Sequence, residues 1–102
     1  MNEGERVIDN RSESRFELAT GGAVSVLVYR RRADRLVLVH TEVPESLGGR
    51  GIAGMLVQAA VHRASSEGLT VVPLCPFARK WLERHPQAAS GVSVDWGPPP
   101  DD

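Results

Sequence analysis

Four glycines, Gly48, Gly49, Gly51 and Gly54, crowd one short stretch between a β-branched run and a segment of helical periodicity, and this junction constrains the fold more than any other feature. Upstream, Leu36-Val37-Leu38-Val39-His40-Thr41-Glu42-Val43 reads as a strand that Pro44 stops. Downstream, Ile52, Met55, Leu56, Ala59 and Ala60 recur at i, i+3, i+4, i+7 and i+8, the spacing of an amphipathic helix that closes near Glu67-Gly68. Such a turn presents the first amides of the helix, at the positive end of its dipole, to any anion that can approach the bare main chain. The bland alternative is that the glycines serve turn geometry alone.

The rest of the chain supplies the frame for that junction. Arg15-Phe16-Glu17-Leu18-Ala19 alternates apolar and polar residues, and Thr20-Gly21-Gly22 suits a hairpin turn. Residues 23–31 follow as a strand with Val24, Val26 and Val28 on one face and Ala23, Ser25, Leu27 and Tyr29 on the other. A polar turn at Ala33-Asp34-Arg35 leads into the strand before the glycines. After the helix, residues 69–74 read as a short strand parallel to the one preceding it, with Pro73 favouring an edge or a splayed end. Pro76 fits the first position of a second helix, which closes at His85-Pro86 and carries Phe77, Trp81 and Leu82 as core residues on one side. The predicted order is β-β-β-α-β-α, an α/β (α+β) fold on a mixed sheet. Residues 1–6 read as a disordered leader, 7–90 as the domain and 91–102 as a Pro-rich tail.

Size and charge exclude several classes. A chain of 102 residues makes one domain with one modest core. Its net charge of -1 provides no general basic field for a nucleic acid or an anionic membrane, and no apolar run approaches the roughly 20 residues needed to span a bilayer. One cysteine and a leader without an apolar segment point to the cytoplasm.

Three phosphate-binding patterns compete for the glycines. A Walker-type loop requires a following Lys-Ser/Thr, and none is present. Gly49-Arg50-Gly51-Ile52-Ala53-Gly54 spells the dinucleotide fingerprint, but residues 69–74 lack the acid that the fingerprint needs about 20 positions on. The third pattern, Q/R-x-x-G-x-G/A, has its second half in Gly51-Ile52-Ala53, with Gly48 where a Gln or Arg usually stands. With His40-Thr41-Glu42-Val43-Pro44, Cys75-Pro76-Phe77 and His85-Pro86 in order, residues 15–85 resemble the small single-domain branch of the GNAT superfamily of N-acetyltransferases. The resemblance implies a split between the strands flanking the first helix and acetyl-coenzyme A as co-substrate. It implies a pyrophosphate on the amides of Gly48, Gly49, Arg50, Gly51, Ile52, Ala53 and Gly54, and pantetheine beside the strand ending at Val43.

Amine acetylation needs a free amine near a thioester, donors for a developing oxyanion, and a proton acceptor. His40 and Glu42, two apart on one strand, share a face. If that face lines the cleft, Glu42 is the first candidate base and His40 the second, with a backbone N–H near Val43 as oxyanion donor; otherwise both are solvated residues. Cys75, just before Pro76, sits at a helix N-terminus, where a thiol can be activated or can lie buried and inert. The resemblance puts a cysteine of this motif beside the coenzyme, as a cofactor contact or an acyl acceptor. Arg79 and Lys80 are candidates for the coenzyme's 3′-phosphate. His62 and His85 show no metal-ligand spacing with Cys75, so no metal is expected. The expected activity is transfer of an acetyl group to a primary amine on a small molecule or protein. The alternatives are a non-catalytic coenzyme A-binding module, or an interaction domain using Arg30, Arg31, Arg32 and Arg35.

Overall fold

Strands buried on one face and helices with one apolar stripe satisfy both by stacking in two layers. The computed structural model describes residues 6–97 and has this architecture. Strands β1 (Ile8–Asn10), β2 (Arg15–Thr20), β3 (Ala23–Arg32) and β4 (Arg35–Glu42) form an antiparallel meander. A 3₁₀ turn (Glu45–Leu47) and the glycine loop lead into helix α1 (Ile52–Glu67). Strand β5 (Thr70–Pro73) lies parallel to β4, helices α2 (Pro76–Arg84) and α3 (Pro86–Ala89) follow, and β6 (Ser93–Val94) lies parallel to β5. The sheet order is β1-β2-β3-β4-β5-β6.

Helix α1 packs across β2 to β5, and α2 packs on β4, β5 and α1. The inward residues Phe16, Leu18, Leu27, Leu36, Leu38 and Val71 close with Leu56, Val57, Ala60 and Leu82 into one core. The other sheet face carries Val24, Val26, Val28, Val37 and Val72, with at least part of each side chain exposed. Gly68, at φ +69°, ends α1 in the left-handed conformation that glycine adopts without strain. Among the described residues no helix is long and apolar enough to cross a membrane.

Three expectations are revised. Strand β1 has three residues and β6 two, too short to show a period. Yet β6 lies in the segment read as tail, and Val92 and Val94 pack on the core. Residues 1–5 of the expected leader and 98–102 of the tail lie outside the described residues. The expected core stripe of α2 is also shifted: Ala78 and Leu82 are its buried residues, whereas Phe77 is 43% exposed and Trp81 half-buried. The i, i+4 rule puts Phe77 and Trp81 on a common flank, and that flank faces the start of α1. There Gly54 accommodates the indole, since a Cβ at Gly54 would stand 2.5 Å from Trp81 Nε1.

The meander is pinned to α1 by a partly buried ion network. Arg63 Nη1 donates to Asp9 Oδ2 at 3.0 Å and to the Tyr29 hydroxyl at 2.8 Å. The Tyr29 hydroxyl donates to Asp9 Oδ1 at 2.6 Å, and burial together with that carboxylate pushes its pKa up, so the phenol remains a donor. At the far end of α1, Glu67 accepts from Arg11 at 2.6 Å and from Arg31 at 3.3 Å.

Two outcomes follow from this packing. Glu67 is held below the ordinary glutamate value of 4.5, first by the Arg11 hydrogen bond. Its contribution to stability is therefore complete above that value and lost as pH falls through the lowered folded-state pKa. In acid titrations followed by circular dichroism, Glu67→Gln should lower stability at neutral pH and flatten its decline in acid; an unchanged acid limb would contradict the pairing. Gly54→Ala should displace Trp81, lower stability by about 1–3 kcal/mol in urea unfolding, and alter indole emission. Wild-type stability with an unchanged spectrum would show that the contact is loose.

Candidate active site

The site begins where β4 and β5 part. Their ladder ends at Leu38↔Pro73. The Leu38 carbonyl accepts from both Leu74 N–H, at 3.0 Å, and Cys75 N–H, at 2.9 Å, as the chain turns into α2. Thr70 and Leu74 donate toward β4 while Val71 accepts from Asp95 on the β6 side, so by alternation Pro73 faces away from β4, beyond the last β6 pair. Its missing donor therefore leaves no gap in the ladder. The strand neighbours flanking α1 are thus split, as expected, and β4 continues to Glu42 with β3 as its only partner among the described residues.

A β-bulge sets what that free edge presents. The β3–β4 register passes from Val28↔His40 to Tyr29↔Leu38, leaving Val39 without a partner of its own. Unbulged, His40 and Glu42 would continue the inward face of Leu36 and Leu38. Instead they stand opposite Val28 and Val26 on the outer face, their side chains 61% and 75% exposed and 3.8 Å apart. Thr41, opposite inward-facing Leu27, takes the helix side. Tyr29 N–H donates to Ser14 on the β2 side, so Val28 and Val26 turn their main chains to β4 and Leu27 does not. Thr41 N–H and C=O therefore point to the free edge.

At the end of β4 the chain enters the glycine loop. Gly49 and Gly51 have φ of +83° and +74°, where a side chain is strained, and a Cβ at either would meet nothing within 4 Å. Gly48 is extended at φ -61°, a conformation open to any residue. Gly51 is the N-cap of α1, with no side-chain cap and no acid in the first turn. The first helical hydrogen bond runs from Met55 N–H to Gly51 C=O. The leading amides of α1 thus open onto a cleft of about 210 Å³, lined by the loop glycines with Val43, Leu47 and Phe77. Arg50 is exposed on the loop. Ile52 is buried and Ala53 half-buried, so they present main chain rather than side chain to an anion.

Cys75 caps α2, is 3% exposed, and has its sulfur 3.2 Å from Thr41 Oγ1. The structure thus joins the Thr41 edge, Cys75, Val43 and the loop. It separates Arg79 from them: Arg79 donates to the Trp96 carbonyl at 2.7 Å, lies over the Trp96 ring, and pairs with Glu83. Lys80 remains nearby, grouped with Phe77, Trp81, Arg84 and His85. Thr41 and Phe77 are the site residues that sequence reasoning passed over. Thr41 requires knowledge of the bulge, and the helical spacing of Phe77 with Trp81 points to a core stripe rather than a cleft wall. Among the described residues no three His, Cys, Asp or Glu side chains are grouped to hold a metal.

Comparison with known proteins identifies the family and the fold. The family model for GCN5-related N-acetyl-transferases matches residues 15–91. Protein NATD1 of Mus musculus is 34% identical over 84 residues, covering 79% of this chain and 76% of its own length. Protein NATD1 of Homo sapiens is likewise 34% identical over 84 residues, covering 79% and 74%. A GCN5-like protein from Staphylococcus aureus, solved by solution NMR, superposes with a TM-score of 0.71 over 94% of each chain at 23% identity, a likeness of fold. With its split sheet, glycine loop and matched span, the chain belongs to the GCN5-related N-acetyltransferase family.

Proposed function

We propose that this protein binds acetyl-coenzyme A and transfers its acetyl group to a primary amine. The observation that carries the reading is the continuity of the free Thr41 edge with a loop whose two left-handed glycines lead into an uncapped helix N-terminus. The residues fit the coenzyme: open space stands over Gly49 and Gly51, and the first-turn amides of α1 have no side-chain competitor. Amides of residues 49–54 receive the pyrophosphate, favoured by the helix dipole. The Thr41 main chain and Val43 receive the pantetheine arm, and Lys80 the 3′-phosphate. When bound, the coenzyme supplies an activated thioester.

The bulge gives the two faces of the slot separate tasks. Thr41 and Cys75 approach it from the helix side, His40 and Glu42 from the outer side. An amine entering from the outer face meets the Glu42 carboxylate first, which accepts its proton, with His40 beside it as the second acceptor. A backbone N–H at the free β4 edge, near Val43, supplies the oxyanion donor. Cys75 is a neighbour of the thioester rather than an acyl carrier, and transfer is direct.

Coenzyme A and acetyl-coenzyme A at about 100 times their dissociation constants should each add roughly 2.7 kcal/mol to stability, with dephospho-coenzyme A weaker. No stabilisation by either sinks the reading. In an amine panel followed by thiol release, Glu42→Gln should lower kcat about 100-fold while leaving coenzyme stabilisation intact. Stabilisation without thiol release from any amine would favour a non-catalytic binding module. Gly48→Arg, at an extended position where a Cβ would stand 3.3 Å from the Glu45 carbonyl oxygen and needs a shift of that turn by a few tenths of an ångström, should tighten coenzyme A binding; weaker binding with the fold intact would contradict a pyrophosphate on this loop.

A further inference from the structure

The outer face of the sheet is apolar at its centre and open. Both long helices pack on the other face, so no helix among the described residues walls this one. Val24, Val26 and Val28 of β3, Val37 of β4 and Val72 of β5 form its floor, with Val24 50% exposed and the others half-buried. Valine suits strands for its own sake, but Leu74 lies beyond β5, where strand propensity does not account for it. It is 65% exposed between buried Pro73 and Cys75, so by alternation it takes the outer side, on the β5 edge of the split. His40 and Glu42 rim the β4 edge on that same side.

Charge gives this face a direction. At the slot end the exposed Glu42 carboxylate has only His40 beside it, at 3.8 Å. At the other end Arg30 stands opposite Val37 and Arg32 opposite Arg35, so both project outward. Arg31 turns to Glu67 on the helix side, and Arg15 and Arg35 are taken by Glu17 and Asp95. Arg30 and Arg32 are exposed and have no ion pair among the described residues, not even with Asp34 of the adjoining turn. The face thus runs from a carboxylate at the slot, across valines, to two unpaired guanidinium groups. Leu27, opposite Thr41, and Arg30 are three residues apart on β3, about 10 Å at the rise of a strand.

An ammonium matches the first end and a carboxylate the second. A small amine would bury little of itself on an unwalled sheet, whereas an extended polypeptide spans about 10 Å in three residues and covers the valines between. The acceptor nitrogen must also descend through a layer of side chains, about 5 Å deep, to reach the Thr41 main chain. The four-carbon stem of lysine does this, and a backbone α-amine lying on that layer does not. Resting on the acetyl-transfer reading above, we propose that the acceptor is a lysine of a polypeptide segment laid across this outer face. Apolar residues beside the lysine cover Val26, Val28 and Leu74, and an acidic residue about three positions away meets Arg30 and Arg32.

Three peptides with blocked termini test this, each with a single lysine. The first has valines beside the lysine and aspartates three positions to either side; the second has arginines for the aspartates; the third has serines for the valines. In amide chemical-shift titrations of the full chain, the first should give saturable shifts at Val26, Val28, Arg30 and Leu74, with the other two binding at least about tenfold more weakly. With acetyl-coenzyme A, its lysine should be acetylated, by mass and thiol release, with kcat/KM at least about tenfold above that of n-butylamine. Arg30→Glu combined with Arg32→Glu should turn the preference toward the arginine peptide while retaining stabilisation by coenzyme A. Absence of shifts on the outer face, equal binding of the first two peptides, an unchanged preference in the double variant, or butylamine turned over as well as the first peptide would each overturn the proposal. With coenzyme A still stabilising the chain, those outcomes leave the coenzyme reading standing. Absence of that stabilisation removes the coenzyme reading instead, and this assignment of the acceptor with it.

Discussion

The structure turns on one carbonyl. Leu38 C=O accepts from both Leu74 and Cys75, and with those bonds β5 stops being a strand and becomes the approach to α2. Beyond Leu38 the β5 side of β4 is then an edge, and the Thr41 main-chain groups that face it meet no neighbouring strand among the described residues. Edges of this kind invite an extended partner. Here the edge is short, enclosed by α2 on one side and continued by a glycine loop at its end, so it suits a single elongated molecule rather than another sheet. The loop completes it, because left-handed backbone at Gly49 and Gly51 lets the chain leave the strand and start α1 without a side chain in the way.

The bulge at Val39 is the second determinant. It reverses the facing of every later β4 residue, bringing Thr41 toward Cys75 and sending His40 and Glu42 outward. Because both long helices cover the same face of the sheet, the outer side of the slot stays open. A single two-layer fold therefore offers two approaches to one edge. Trp81 ties the helical side together by lying against Gly54, so the start of α1 and the flank of α2 are positioned jointly.

Much of this was legible in the sequence, and the physical reasons are specific. β2 to β5 and α1 each bury one face over enough residues for a period to emerge, and Gly68 and Pro76 mark helix ends that only certain backbones permit. The glycine loop was legible because its position between strand and helix gives the residues a purpose. β1 and β6 were not, since two or three residues carry no alternation. The bulge was hidden because Val39 suits a bulged and a regular position equally. Gly54 was grouped with its loop neighbours, but its missing side chain accommodates an indole from a helix that sequence alone could not orient. The Asp9–Tyr29–Arg63 cluster joins residues 20 and 34 positions apart, so no local pattern announces it.

The central claim is that the free β4 edge and the glycine loop form one continuous coenzyme site. Amide chemical-shift mapping with coenzyme A tests it most directly. The account predicts saturable shifts, with a single dissociation constant, at Thr41, Val43, Gly49, Gly51, Ile52, Ala53 and Cys75. Saturable shifts confined to residues outside the edge and loop, or different dissociation constants for the two segments, would contradict it.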